Sequence, residues 1–329
     1  MKRKVEFIVF NSGSHASKLM FADVDKIENA IQMDSVFEIK NPFLKMCNKV
    51  HMSGKINRKI KLPFRSIWDK YYITEIAKRH LDIEYIFVYT NVSIKKVCIE
   101  YLQELEKLSN VHLVLIAVDS FVDKFLCPLD VMQKVKFDLV YSFDPNDSEK
   151  HNLIFTRSLY SKREDIVPAE KSVDLFFVGR AKDRLDYLLS IVKRANDAGL
   201  SCGFYILGVK ENKRIPLPGV IYIDEVMSYD DVLPIIMSSK CLVDIVQKGQ
   251  EGLTMRTYEA IFYNKYLLTN NPGVRSLNYF ADDYMKYVET LDQIDFDFLK
   301  NDQIDYHYDY DYSPIRLLSD IEDRLGFTQ

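Results

Sequence analysis

"CLVDIVQKGQEGLTMRTYEA", residues 241–260, passes from an apolar run through a turn holding two glycines into a helical pattern. The run "CLVDIV" carries Leu, Val and Ile without strict alternation, which reads as a strand buried on both faces. Gly249 and Gly252 let the backbone after it bend sharply or approach a ligand closely. A helix opens near Thr254, a residue type that caps helices well. Strand, tight turn and helix in this order make half of a βαβ unit.

The same order recurs along the chain. In the first half, strands are expected at 5–10, 85–90, 112–118 and 137–143, with a helix over 93–108 between two of them. After the polar stretch "SKREDIVPAEKS" the pattern restarts with strands at 173–179, 203–208, 219–224, 241–246 and 265–270 and helices at 183–198, 229–238 and 254–263. The reading is an α/β protein of two Rossmann-like domains, 1–165 and 166–329, facing each other across a cleft, with the last helix free to return to the N-terminal domain. Such sheets bind ligands beyond the carboxyl ends of their strands. The segment "QIDYHYDYDY" (303–312) is expected to be a solvated connecting loop.

Composition narrows the function classes. A chain of 329 residues, 47% hydrophobic and 28% charged, can build a sizeable core, and its net charge of -4 argues against wrapping nucleic acid. The charge is uneven. Residues 1–80 hold 16 Lys/Arg against 8 Asp/Glu, a net of +8. Between Lys45 and Arg65 there are seven cations and no acid, a candidate contact with an anionic membrane surface. Five scattered cysteines without ligand spacing support neither a disulfide framework nor a zinc site, which suits a cytoplasmic protein. No stretch reads as a signal peptide or a membrane span.

The turn itself suggests chemistry. The free amides from Gly252 through Leu253 and Thr254 to Met255, together with the helix dipole, form an anion site suited to phosphate, and Arg256 can add a charged fork to it. Glu251 is poorly placed beside a phosphate, but a sugar hydroxyl can donate to it. Glu259, eight positions on, can hold a ribose diol in the same way. Amides for phosphate and two carboxylates for hydroxyls suit a nucleotide sugar. The plain alternative is a capped surface helix with two solvated carboxylates.

These residues resemble the donor domain of GT-B glycosyltransferases. "EGLTMRTYE" looks like their Glu-x7-Glu motif, with Glu251 and Glu259 at its ends. "FFVGRAKDR" looks like the Gly-Arg segment after the first donor-domain strand, and "YIDEVMSYDDVLPIIMSSKCLVDI" like the base-binding loop, helix and next strand. The resemblance covers roughly 170–275 and is similar in character to bacterial capsule, exopolysaccharide and lipopolysaccharide enzymes. Thr254 stands where many members place a second glycine, and Lys182 follows Arg180 more closely than usual, so the anomeric outcome stays open.

By resemblance, Gly179, Arg180 and Lys182 face the diphosphate, and the backbone of Asp224, Glu225 and Val226 reads the base. Glu251 acts in catalysis. On the acceptor side "NSGSH" follows the first strand, where Gly13 and Ser14 allow close approach and His15 can orient or deprotonate a hydroxyl. Asp144 and Asp147 are expected to form a turn. The expected activity is metal-independent and needs no cofactor: transfer of a hexose from a nucleotide diphosphate sugar to a saccharide or lipid-linked saccharide, with no nucleic acid partner, at the inner face of the cell membrane. A non-catalytic nucleotide-binding protein of the same fold is the rival reading. An oxidoreductase is weaker, because no GxGxxG follows either first strand.

Overall fold

The protein was analysed as a computed structural model that describes residues 4–11, 13, 15–53, 56, 60, 62–118, 121, 127–247, 253–300 and 303–328. The chain divides into two compact units, Met1–Ser161 with Tyr310–Gln329, and Lys162–Asp309.

In unit 1 the order is β1 (Lys4–Phe10), α1 (His15–Met20), β2 (Ala30–Met33), α2 (Pro42–His51), α3 (Thr74–Arg79), β3 (Ile83–Thr90) and α4 (Ile99–Leu105). Then come β4 (Val111–Ala117), α5 (Leu129–Met132), β5 (Leu139–Ser142), α6 (Pro145–His151) and β6 (Ile154–Phe155). Unit 2 holds β7 (Val173–Arg180), α7 (Leu185–Asp197), β8 (Cys202–Leu207), β9 (Val220–Ile223), α8 (Tyr229–Ser238) and β10 (Ser239–Asp244). It continues with α9 (Met255–Phe262), β11 (Tyr266–Thr269) and β12 (Met285–Tyr287), and α10 (Pro314–Arg324) belongs to unit 1. Each unit is built on a six-stranded sheet, ordered β2-β1-β3-β4-β5-β6 in unit 1 and β12-β11-β10-β7-β8-β9 in unit 2. All strand pairs in both sheets are parallel.

The continuous apolar runs are explained by cover on both faces. In unit 1, Ile8, Phe10, Phe87 and Tyr89 pack on one side with Tyr101, Leu102 and Leu105 of α4. Val5, Phe7, Val9, Ile86 and Val88 pack on the other with Leu317, Leu318 and Ile321 of α10. Successive residues thus point to opposite faces, and both faces are buried. In unit 2, Leu188, Leu189, Ile191, Val192 and Ala195 of α7 cover β7, β8 and β10. Gly219 enters β9 at φ +84, and a Cβ there would lie 2.5 Å from the Cys202 carbonyl oxygen, so only glycine fits.

Several elements differ from the sequence expectation. β2, β6 and β12 are short and escaped notice, being four, two and three residues long. The helix expected over 93–108 is a 3-10 turn, Ile94–Lys96, followed by α4. The 303–312 segment is not simply a solvated loop: Tyr306 and Tyr312 are buried, and the Tyr306 hydroxyl donates to the Lys265 carbonyl at 3.0 Å. Asp144 caps α6, accepting from the amides of Asn146 (2.9 Å) and Asp147 (3.2 Å), while buried Asp147 accepts from the Phe121 amide at 2.7 Å. Among the described residues no helix is long and apolar enough to cross a membrane.

Candidate functional site

In unit 2 the strand order reverses where β7 and β10 lie side by side, which puts a crevice beyond their carboxyl ends. The loop after β7 begins at Gly179 and Arg180, and the one after β10 runs from Ile245 through residues outside the described set to Leu253 and Thr254. Thr254 is the N-cap of α9, its Oγ1 accepting from the Arg256 amide at 3.1 Å. Arg184 ties the two loops together. Its guanidinium donates to the Arg180 carbonyl (3.0 and 3.3 Å) and to the Ile245 carbonyl, and lies 5.5 Å over the Phe177 ring. Burial lowers the Arg184 pKa, opposed by Asp244 and Asp183. Gly179 is closely hemmed in, since a Cβ would meet the Phe177 ring at 3.2 Å.

Beneath this crevice the sheet buries charge. Glu259 is fully buried, and its Oε2 lies 2.5 Å from Arg256 Nη1. The Arg256 side chain, 13% exposed, also stacks 5.4 Å over Phe176. The Tyr229 hydroxyl also reaches Glu259, but the contacts at the Glu259 oxygens and at Arg256 Nη1 are poorly aligned for hydrogen bonds. Asp244 is buried at the end of β10, where Oδ2 accepts from Thr257 Oγ1 at 3.1 Å and its carbonyl from Thr269 Oγ1 at 2.7 Å. Burial pushes both carboxyl pKa values up. The hydroxyls of Thr254 and Thr257 and the charges of Arg256 and Arg184 oppose the rise at Asp244, while Arg256 and the Tyr229 hydroxyl oppose it at Glu259.

A cavity of about 220 Å³ opens beside the pair, walled by Val178, Gly179, Leu207, Ile223, Val226, Met227, Tyr229 and Val232, with Arg256 as its charged member. Ligand pockets commonly span about 300–1,000 Å³, so this one suits a single ring system rather than a whole sugar nucleotide. A second cavity, about 420 Å³, lies beside β9 with Arg214 as its charged member. Arg214 is already paired with Asp224 and stacked 5.6 Å over Tyr222, so this cavity has no free charge to offer.

The structure brings together Gly179, Val226, Arg256 and Glu259, with Leu253 and Thr254 at the head of α9. Two of these residues face one another. Arg256 turns toward Glu259 and Phe176 and lines the cavity, so its guanidinium is not presented as a fork at the helix N-terminus. Glu259 is buried beneath Arg256, since a carboxylate in this apolar layer needs a cation against it. Arg180 and Lys182 are exposed, and Lys182 sits in the left-handed region at φ 47. Asp224 and Glu225 are exposed, with the Asp224 carboxylate directed at Arg214. Glu251, Gly252 and Ser14 lie outside the described residues, as does the side chain of His15, which opens α1. Gly13 stands at φ +69, its amide donating to Asn11 Oδ1 at 2.8 Å.

Sequence reasoning missed Asp244, Thr257, Tyr229 and the bridging role of Arg184. One signal was available for Asp244: a lone acid inside the apolar run "CLVDIV" must find buried partners. Among the described residues no group of three or more His, Cys, Asp or Glu side chains is arranged to hold a metal ion.

No family model matches the chain, and no curated protein matches it. Among solved structures, the glycotransferase of kitacinnamycin is similar at a TM-score of 0.48 and 10% identity, covering 99% of this chain and 100% of that one. The Glycosylation Associate Protein (Gap123) complex from Streptococcus agalactiae gives a TM-score of 0.42 at 9% identity, covering 78% of this chain and 57% of that one. The glycosyltransferase SnogD from Streptomyces nogalater gives 0.36 at 8% identity, covering 83% of each chain.

Proposed function

We propose that the protein is a glycosyltransferase that moves a sugar from a nucleotide diphosphate sugar to an acceptor hydroxyl, with unit 2 binding the donor and unit 1 serving the acceptor. The observation that carries this reading is the small apolar cavity at the strand-order reversal of unit 2, with a buried, incompletely hydrogen-bonded Arg256–Glu259 pair against it. A buried pair left short of hydrogen bonds is costly, and a polar ligand that supplies the missing partners repays that cost.

In this reading the base occupies the cavity against Val226 and Gly179, and Arg256 swings aside so that Glu259 accepts from the ribose. The amides of residues 252–254 and the Arg180 guanidinium stabilise the departing diphosphate, which is electrostatic catalysis by groups fixed in advance. Glu251 holds the donor sugar. His15, with Gly13 and Ser14, orients the acceptor. No metal or cofactor enters. The acceptor is a saccharide or lipid-linked saccharide of bacterial surface polysaccharide synthesis, met at the inner membrane face, to which the cations of 45–65 are attracted.

Calorimetric titration with UDP, GDP, CMP and TDP tests the donor half of this reading. One nucleotide class is expected to bind, and Gly179→Val, whose side chain would push against the Phe177 ring and Arg184 beside the cavity, is expected to weaken that binding. A chain that binds none of the four removes the proposal, and a chain that binds but never hydrolyses or transfers a donor sugar is a binding protein only.

A further inference from the structure

The described residues of 38–53 and 62–71 leave unit 1 through a base that is pinned by backbone bonds. Phe37 pairs with Tyr72 in an antiparallel bridge, the Glu38 amide donates to the Tyr71 carbonyl at 2.8 Å, and the Ile73 amide donates to that of Val36 at 3.0 Å. The excursion carries α2 and a 3-10 helix, Arg65–Tyr71.

Its apolar side chains are on the wrong side for a core. Phe43, Met46 and Val50 follow the i, i+3, i+7 spacing of one helical stripe, and each is at least half exposed. The opposite face of α2 holds Asn48, which is buried, and Leu44, which is half-buried. Ile60, Phe64 and Ile67 are equally exposed. His51, at the end of α2, gathers the second group beside the first: its Nε2 donates to the Pro63 carbonyl at 2.8 Å, and its Nδ1 accepts from the Trp68 indole at 2.9 Å. Phe64 stands at φ 61 with a side chain 78% exposed. A bulky residue in the left-handed region is strained, and here the strain gains no buried contact.

Charge identifies the partner. Residues 39–68 hold eight Lys and Arg and no Asp or Glu, and Lys45 and Lys49 lie exposed on α2 beside the apolar stripe. A partner must take up aromatic and aliphatic side chains while presenting negative charge over a broad area, and the surface of an anionic bilayer does both.

We propose that α2 and the described residues 62–67 form an interfacial membrane anchor, inserting Phe43, Met46, Val50, Phe64 and Ile67 among the acyl chains while Lys45 and Lys49 engage lipid phosphates. This rests on the peripheral contact suggested above for 45–65 and adds insertion to it. It does not depend on the donor chemistry, so nucleotide titration of the same preparations separates failure of one idea from failure of the other.

The test is co-sedimentation of the full chain with phosphatidylcholine vesicles, with and without phosphatidylglycerol, at low and high salt. Native protein is expected to bind the anionic vesicles, with part of the binding surviving high salt because insertion is not screened. The triple variant Phe43→Ser, Met46→Ser, Val50→Ser should bind at least about tenfold more weakly with its melting temperature unchanged, since these side chains support no core. Phe64→Gly should weaken binding while holding or raising the melting temperature, because glycine relieves the positive φ. Trp68 is the chain's single tryptophan and a built-in reporter, so brominated acyl chains should quench it in native protein and not in the triple variant. Absence of binding to anionic vesicles, or binding that the triple variant leaves intact, overturns the proposal. Concentration-dependent dimerisation that the triple variant abolishes, without vesicle binding, assigns the face to a second copy instead.

Discussion

The two units share an architecture and differ in what they bury where the strand order reverses. In unit 1 the reversal lies at β1 and β3, whose ends carry Asn11, Thr90, Asn91 and Ser93, all buried and all neutral. Their bonds are local. Asn11 donates to Gln32 Oε1 at 3.2 Å, Asn91 Oδ1 accepts from the Val118 amide at 3.0 Å, and Ser93 exchanges bonds with Thr90 at 2.9–3.3 Å. In unit 2 the same position holds Asp244, Arg256 and Glu259, with polar atoms of the last two still short of hydrogen bonds. Neutral groups that satisfy one another close a loop, whereas buried charges with spare bonding capacity suit a ligand. The contrast separates a reversal point closed by neutral groups from one that buries charge.

The strongest way to break the contrast is Arg256→Ala. It strands Glu259 in an apolar layer, so urea unfolding should show a loss of about 3–5 kcal/mol. Replacing both members, Arg256→Met with Glu259→Gln, should restore most of that stability but not nucleotide affinity. A double variant that binds nucleotide as the native chain does would show that the pair serves the fold alone.

Glu251→Gln is next in size. If its carboxylate meets donor hydroxyls chiefly as the glycosidic bond breaks, turnover should drop by about 10²–10³-fold while free-nucleotide affinity stays level. Loss of affinity with unchanged turnover would place Glu251 on the nucleotide rather than the sugar. The matching change in unit 1 is Asn91→Ala, which removes the acceptor for the Val118 amide and should cost about 1–3 kcal/mol of stability with nucleotide binding untouched. Weakened nucleotide binding in this variant would erase the distinction between the two reversal points.

Much of this architecture could be read in the sequence because it rests on patterns the chain must obey. Apolar runs such as "YIFVYT" can be buried on both faces only in a covered parallel sheet, and the βα order around "CLVDIV" and "MRTYEA" places a turn at the strand's carboxyl end. The edge strands β2, β6 and β12 were not legible, since "AIQM", "IF" and "MKY" are too short or too mixed to stand out as apolar runs, unlike "VIYI" of β9. The site was half legible. Residue types around Arg256 and Glu259 suggested a polar site, but whether an arginine twelve positions past the end of a strand points to a phosphate or folds back onto a carboxylate depends on what fills the layer below. Here that layer is Phe176 and Glu259, brought in by β7 and by the buried face of α9. The exposed stripe of α2 was not read from the sequence, and an amphipathic helix carries the same pattern whether its apolar face meets a core or is left uncovered.

The smallest effect in this series is a dependence on pH that only unit 2's reversal point should show. Burial raises the pKa of Asp244 above 3.8 and that of Glu259 above 4.5, so the folded chain holds these protons more tightly than the unfolded one. The stabilisation from the neutral forms is complete below the ordinary carboxyl values and is lost as pH rises through the raised ones. Surface carboxylates pull the other way: Asp130, whose pKa is lowered by the Lys95 hydrogen bond, contributes above its ordinary value and loses that contribution as pH falls. Asp130 is unchanged in an Asp244→Asn, Glu259→Gln variant and cancels in the difference between native and variant. That difference in melting temperature should therefore move in favour of the native chain as pH is lowered from neutral toward 4.5. A difference that stays flat, or moves toward the variant, would mean that Arg256 and the surrounding hydroxyls hold both carboxylates charged despite their burial, and that the charge contrast between the two reversal points is permanent rather than pH-dependent.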